Sequence, residues 1–434
     1  MQFLKRNNLK IMLLTRRNKL KAGAMYFAVF MAFLSGVISI FIILLAFLNN
    51  RVILLEDYKN DAYDNAQAGI TLLLANPDRI GFNISTPLVT GERKDTILLQ
   101  KRRWGALTIF SSSASWRGFT FMQIALAGID FFVKPVGLYV ADNDQYISIG
   151  GDTYISGPAF VPGLGIRTVY MEGEGYKYDK EVHGTVRYSD RDLPPPAASF
   201  IQQGKDLLNG KLSISDTVVS ATSIANGAYI FNSFKEKTHV YWHKGKLNLN
   251  NVTLDGNIRV QASQSIYLSR TCTLRNILVV APNIYVEAGF TGSIQAYCAD
   301  TFLIEKGCHL EYPAFVSLIN ENTNNTLGVV DENTRIDGGI FMYNVKKSPG
   351  VMNLYLNEDT EVNGLVYCKG KVQHKGRING SLYCNGFFLK TNIGNYSNQI
   401  FNAAIDFNNL SQYYAGGTIL NDTLVKPILI EWLR

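Results

Sequence analysis

A mainly β protein carried on one N-terminal transmembrane helix is the fold class this sequence predicts, and three observations predict it. Ala24 to Leu48 is a run of twenty-five residues without charge or proline. In the C-terminal part apolar residues recur every eighteen residues, and a longer motif recurs after sixteen. Between them lie short apolar or alternating runs broken by Gly, Pro, Asn and Asp. The expected architecture is a transmembrane helix with a helical stalk, a β-rich middle domain and a C-terminal parallel β-helix, or solenoid.

At about 1.5 Å per residue, a helix over 24–48 crosses a hydrocarbon core of roughly 30 Å. The run is much longer than the apolar core of a secretory signal and lacks a small-x-small cleavage site, which favours a retained span. Lys5, Arg6, Lys10, Arg16, Arg17, Lys19 and Lys21 precede it with no acidic residue among them. The positive-inside rule then makes residues 1–23 a cytoplasmic tail or leader. Everything after Leu48 is expected to be exported from the cytoplasm. These seven cations account for the whole net charge of +7, since the other thirty-five Lys and Arg equal the thirty-five Asp and Glu. The basic balance therefore reports topology and contact with the lipid bilayer, and it argues against a nucleic-acid partner. Within the span, Ala32, Ser35, Gly36 and Ser39 follow the small-xxx-small pattern of helices that pack closely, although the same face could simply meet lipid.

From 49 to 76 apolar residues continue near helical spacing through Val52, Leu55, Tyr58 or Ala62, Ala66, Ile70 and Leu73, so a stalk is expected to extend the span. Asn76-Pro77-Asp78 ends it, because proline disfavours helix in the residue before it. The β-rich domain is expected over 79–196, with Phe119 to Phe132 readable as strand or helix. Leu193-Pro194-Pro195-Pro196 marks its boundary, and a short helix fits Ala198 to Leu208.

The β-helix is expected over 197–393. Ile266, Ile284 and Phe302 share an eighteen-residue step, as do Leu268, Val286 and Ile304. Two further columns keep that step, Gly256, Leu274, Gly292, Leu310 and Val279, Tyr297, Phe315. A single coil cannot bury such positions, so equivalent residues must stack from coil to coil. Glu361-Val362-Asn363-Gly364-Leu365-Val366-Tyr367-Cys368 recurs as Arg377-Ile378-Asn379-Gly380-Ser381-Leu382-Tyr383-Cys384, with an earlier relative at Arg335-Ile336-Asp337-Gly338. Its Asn-Gly and Asp-Gly pairs suit corners that need positive φ. A β-sandwich of repeated hairpins is the alternative. Residues 394–434 lose the register, and Ile428, Leu429, Ile430, Trp432 and Leu433 are expected to cap the open edge.

Little catalytic chemistry is expected. Cys272, Cys298, Cys308, Cys368 and Cys384 form no CxxC pair and read as core residues. His239 and His243 fall on one strand face without a third ligand, so neither a metal nor another cofactor is expected. Glu287 and Glu305 share the eighteen-residue register one coil apart and are the only catalytic candidates, as a carboxylate pair of the glycosidase kind. The competing reading is two solvated glutamates at a corner. Tyr241 and Trp242 are the aromatics that a surface glycan could meet, though such residues are more often core.

The stretch from Lys19 to Leu74 resembles type IV pilins and, more closely, the K-type minor pseudopilins of type II secretion systems. It has a basic leader ending in Gly23, an uncharged span from Ala24, and a continuous helix running to Asn65-Ala66-Gln67-Ala68-Gly69-Ile70. The resemblance implies cleavage between Gly23 and Ala24, and a helix that packs with its counterparts beneath a globular head. Two features depart from that family: its usual fifth-position glutamate falls at Ala28, and a β-helix is not its usual head. The Gly364–Gly370 and Gly380–Gly386 repeats resemble bactofilin-type polymer-forming β-helices, which implies a non-enzymatic role. The function expected is structural, as a pilin-like or pseudopilin-like component of an envelope assembly or secretion apparatus. A surface adhesin or carbohydrate-binding protein stands second, and a carbohydrate-active enzyme third.

Overall fold

The computed structural model describes residues 22–90, 95–213, 216–346, 350–391, 394–420 and 426–434. The chain divides into two compact units, Met1–Asp61 and Ala62–Arg434. The basic segment 1–21 lies outside the described residues. One helix, α1 (Ala22–Ala75), supplies all the described structure of the first unit, and its apolar residues there are exposed on every side. Before Pro77 it stops at Ala75, and a single 3-10 turn follows over Pro77–Arg79.

The second unit is mainly β and is built in three layers. Its first layer is the end of α1, where Ala62, Ala66, Ile70 and Leu73 are buried at successive turns along one stripe. Gly69 lies within that stretch because nothing larger fits. A Cβ there would come 2.1 Å from Ser112 Oγ and 2.7 Å from Leu99.

The middle layer is an antiparallel sheet of β1 (Ser85–Thr90), β2 (Asp95–Trp104), β3 (Leu107–Trp116) and β4 (Phe119–Asp130), extended beyond β4 by Ala415–Gly416 and Pro427–Trp432. Strand β4 resolves the ambiguous stretch, and its pattern explains the ambiguity. Ala125 and Ala127 pack towards α1 with Ile70 and Leu99, while Ile124 and Leu126 pack the other way with Phe200, Tyr297 and Phe341. A strand buried on both faces reads as a continuous apolar run, without the alternation that marks a half-exposed one.

The third layer is a solenoid of parallel strands. Successive coils bond residue to equivalent residue: Ile266 to Ile284 to Phe302, and Leu268 to Val286 to Ile304. The sixteen-residue repeat is one coil, with Val362 against Ile378, Gly364 against Gly380 and Cys368 against Cys384. Two of the four columns need correction. Leu254, not Gly256, pairs with Leu274, and Val279 pairs with Ala296, which in turn meets Val316. Register shifts at the coil corners, between Arg275 and Ile277 and between Gly292 and Gln295, break the constant step there.

The domain limits drawn from sequence also change. The sequence places 138–188 within the β-rich domain, yet Leu138–Val140 stacks in parallel on Leu382–Cys384, Ala159–Phe160 on Leu138–Tyr139, and Val186–Tyr188 on Ala159–Val161. They continue the solenoid. The segment 394–434 is not a cap: Ala404–Ile405 joins the coils, while Pro427–Trp432 completes the antiparallel sheet along β4. Helix α2 (Ala198–Leu208) lies against the solenoid, burying Phe200 and Leu207 beside Tyr297, Phe315 and Phe341. Gln295 ties sheet to solenoid, since its Oε1 accepts from the Ala106 N–H at 2.7 Å and its Nε2 donates to Trp104 O at 3.1 Å.

Candidate anchor helix and surface clefts

By length and composition α1 can cross a membrane, and its apolar window is wholly unburied within the chain. The small residues lie at i, i+3, i+4 and i+7 and so share one face. Ser35 Oγ donates to Ala32 O at 2.9 Å and Ser39 Oγ to Ser35 O at 2.8 Å, so neither hydroxyl needs a partner outside the helix. A Cβ added at Gly36 would meet nothing within 4 Å. The face is smooth and open, as a single-pass anchor or a helix–helix contact requires. Gly23 and Ala24 fall in the first turns of the same helix.

Glu287 and Glu305 do lie on adjacent coils, in an open cleft of about 550 Å³ with Tyr267 and Tyr285. Each carboxylate is occupied in closing the turn one coil back. Glu287 Oε2 accepts from Ser269 Oγ at 2.7 Å and from the Arg270 N–H at 2.9 Å, and Glu305 Oε2 accepts from the Ala288 N–H at 3.0 Å. The Ser269 hydroxyl and the Arg270 N–H hold the Glu287 carboxyl below its ordinary pKa. A general acid needs the opposite displacement.

The cysteines and most of the histidines are dispersed. Among the described residues no group of three or more His, Cys, Asp or Glu could hold a metal ion. His239 and His243 sit at the two ends of one strand, His183 stacks on Tyr154, and His374 is buried with Nε2 2.9 Å from Ala404 O. All five cysteines are free and buried, and burial raises the Cys368 thiol to about 12. Tyr241 is core, at 7% exposure, whereas Trp242 is 43% exposed.

Two further recesses open on the solenoid surface. An apolar one of about 370 Å³ is bordered by Phe131, Tyr139, Phe160, Leu365 and Tyr383. Here an aromatic ladder leaves the interior: Phe341, Tyr367, Tyr383, Tyr139 and Phe160 are successive partners from coil to coil. The other, of about 410 Å³, lies along the corner of the sixteen-residue repeat. Asp337 forms its centre. Its Oδ2 lies 2.8 Å from His309 Nε2, and its Oδ1 accepts from Arg335 Nε at 2.9 Å and Asn363 Nδ2 at 2.6 Å. Burial pushes the Asp337 carboxyl up, but His309, Asn363 and Arg335 outweigh it and leave the pKa lowered.

An amide chain continues from Asp337. Asn379 Nδ2 donates to Asn363 Oδ1 at 2.7 Å and to Glu361 Oε1 at 2.8 Å, and Asn409 Nδ2 donates to Asn379 Oδ1 at 2.9 Å. The repeat carried the signal for this column, because Asp337, Asn363 and Asn379 precede the corner glycines of three consecutive coils. Asn409 and Tyr413 come from outside the repeat and carried no such signal.

No protein-family model and no curated protein matches the chain. A solved structure to which it is similar is the competence-associated pilin ComZ from Thermus thermophilus, at 10% identity over 87% of this chain and 98% of that one. The TM-score is 0.22.

Proposed function

We propose that this chain is a membrane-anchored, extracytoplasmic structural protein, a pilin-like or pseudopilin-like component of a bacterial envelope assembly or secretion apparatus. The observation that carries the reading is α1: an uncharged span from Ala24 to Leu48, preceded by seven cations, whose last turns are locked onto a folded domain. Such a helix has two uses for its exposed half, lipid and other helices, and the Ala32, Ser35, Gly36, Ser39 face suits the second. In this reading the N-terminus is cytoplasmic, the leader is removed between Gly23 and Ala24, and the partners are the bilayer and other pilin-like proteins.

We further propose that the chain is not an enzyme. The use of Glu287 and Glu305 as turn caps supports this, since neither is left poised for proton transfer.

The test is the N-terminal residue of the mature protein, read by mass spectrometry from isolated envelopes. A start at Ala24 is expected. An intact Met1 would remove the pilin-like processing and leave a plain anchor. In the same cells, Gly36→Leu should reduce recovery of cross-linked α1 partners, because a branched side chain holds facing backbones apart. Unchanged cross-linking would reassign that face to lipid.

A further inference from the structure

We propose that the cleft along the Asp337, Asn363, Asn379 column is a binding site for a neutral or amino-sugar glycan. This surface role is separate from the use made of α1.

The argument begins with preorganisation. The polar groups of the cleft stand on neighbouring coils of a rigid solenoid, and each is held by the next. Asp337 is fixed by three donors, Asn363 bonds to Asp337, Asn379 to Asn363, and Asn409 to Asn379. None need be reordered on binding, which lowers the entropic cost of a weak polar ligand. Hydrogen-bonding capacity is left over. Among the described residues, Glu361 Oε2 and the two Nη atoms of Arg335 take no partner, giving an acceptor and a charged donor fork on one wall. Vicinal hydroxyls of a sugar ring, each both donor and acceptor, match that pairing.

Aromatic rings complete the lining. The hydroxyls of Tyr312 and Tyr414 are committed to backbone carbonyls, Ala415 O at 3.0 Å and Gly338 O at 2.6 Å, which pins their rings 5.8 Å apart. Tyr413 stands at the rim with 81% of its surface exposed. An unburied tyrosine beside fixed amides and carboxylates offers a flat apolar face to the C–H side of a pyranose ring. The volume, about 410 Å³, falls within the range of small-ligand sites. Charge narrows the class. Asp337 and Glu361 outnumber Arg335, whose Nε is already bonded to Asp337, so a polyuronate or other polyanion is disfavoured while neutral and cationic sugars are not.

The experiment uses the full chain in phosphatidylcholine nanodiscs, without sugar-based detergent. The probes are cellohexaose, maltohexaose, chitotetraose and chitosan oligomers, with polygalacturonate as the anionic control, measured by calorimetry and saturation-transfer NMR. At least one neutral or amino-sugar probe should bind. Tyr413→Ala should weaken it about tenfold or more, while Tyr413→Phe, which keeps the ring, stays within about twofold. Because Tyr413 is exposed, both variants should melt with the parent. Glu361→Gln, which keeps the amide contact but removes the charge, should weaken chitosan more than cellohexaose. Binding by none of the four sugars overturns the proposal. So does binding that Tyr413→Ala leaves unchanged, or polygalacturonate binding as tightly as the best neutral probe.

Discussion

Replacing Gly364 with alanine should open the solenoid at one corner, and its cost can be worked from the coil spacing. Gly338, Gly364 and Gly380 stack in register with φ of 153°, 145° and 144°. A Cβ at Gly364 would lie 1.8 Å from Gly338 O and 2.2 Å from the Tyr414 hydroxyl. An ordinary carbon–oxygen contact is about 3.3 Å, so neighbouring coils would have to part by more than an ångström. Backbone strain in this region of φ costs about 1–3 kcal/mol, and each buried ladder group left unpaired adds about 1–3 kcal/mol. With two such groups the total is about 3–9 kcal/mol, among the large single-site effects.

Gly307 provides the control. Its φ is also positive, at 69°, but a Cβ there meets nothing within 4 Å. Gly307→Ala should therefore cost only the conformational part, about 1–2 kcal/mol. Amide hydrogen exchange followed by mass spectrometry is the assay, because a stack of coils loses stability locally. Exchange across Glu361–His374 and Arg377–Lys390 should quicken about a thousandfold in Gly364→Ala and far less in Gly307→Ala. Equal acceleration in both variants would refute the steric argument.

Three other perturbations have definite outcomes. Burial lowers the imidazole of His374 from 6.5 to about 4, so as pH falls from about 6.5 towards 4 the unfolded chain takes up a proton that the native one refuses. Stability should fall by up to about 3 kcal/mol over that window, and urea unfolding of His374→Gln should show a shallower pH slope than the parent. Equal slopes would mean that another group titrates. The five buried thiols should resist a thiol-reactive disulfide reagent in the native protein and all react in guanidinium, so early labelling of Cys368 or Cys384 would contradict the core assignment. Gln295→Leu, which removes the side-chain bonds to the Ala106 N–H and Trp104 O between sheet and solenoid, should cost about 1–3 kcal/mol, and a loss near zero would show that the clamp is dispensable.

What could be read from sequence was what repeats. A parallel ladder sets chemically equivalent residues one coil apart, so Ile266, Ile284 and Phe302 announce themselves in one dimension. Columns that cross a corner do not, because one bulged residue displaces Val279 from Tyr297 to Ala296. Strands of three residues, such as Leu138–Val140 and Ala159–Val161, are too short to show a period. Their partners lie far away in sequence, so nothing local links residue 138 to residue 382. The polar cleft was half visible for the same reason: the Asp337, Asn363, Asn379 column belongs to the repeat, while Asn409 and Tyr413 are brought to it only by the fold.

The placement of residues 138–188 changes how the solenoid must be understood as a folding object. An ordinary repeat stack grows by adding each coil to the one just made, and its contacts stay local. Here the coils of 138–188 come first in sequence, yet they form the far end, and winding restarts beyond α2 at Thr217–Ser220. Only when the chain reaches Leu382–Cys384 does it meet Leu138–Val140, with Ser381 Oγ donating to Val136 O across the same seam. Closing that seam costs the loop entropy of the whole intervening segment, so it is among the slowest parallel pairings to be rewarded, together with Gln399–Phe401 on Ser148–Gly150 and Ala404–Asp406 on Tyr154–Ser156. The antiparallel sheet offsets part of that cost. β3 and β4 pack on the solenoid through Ile109, Ile124 and Leu126, and Pro427–Trp432 returns to β4 from the other side of the seam. The sheet thus holds both ends of the long excursion near each other. Its burial on two faces, which hid β4 from sequence reading, is what lets it serve the end of α1 and the solenoid at once.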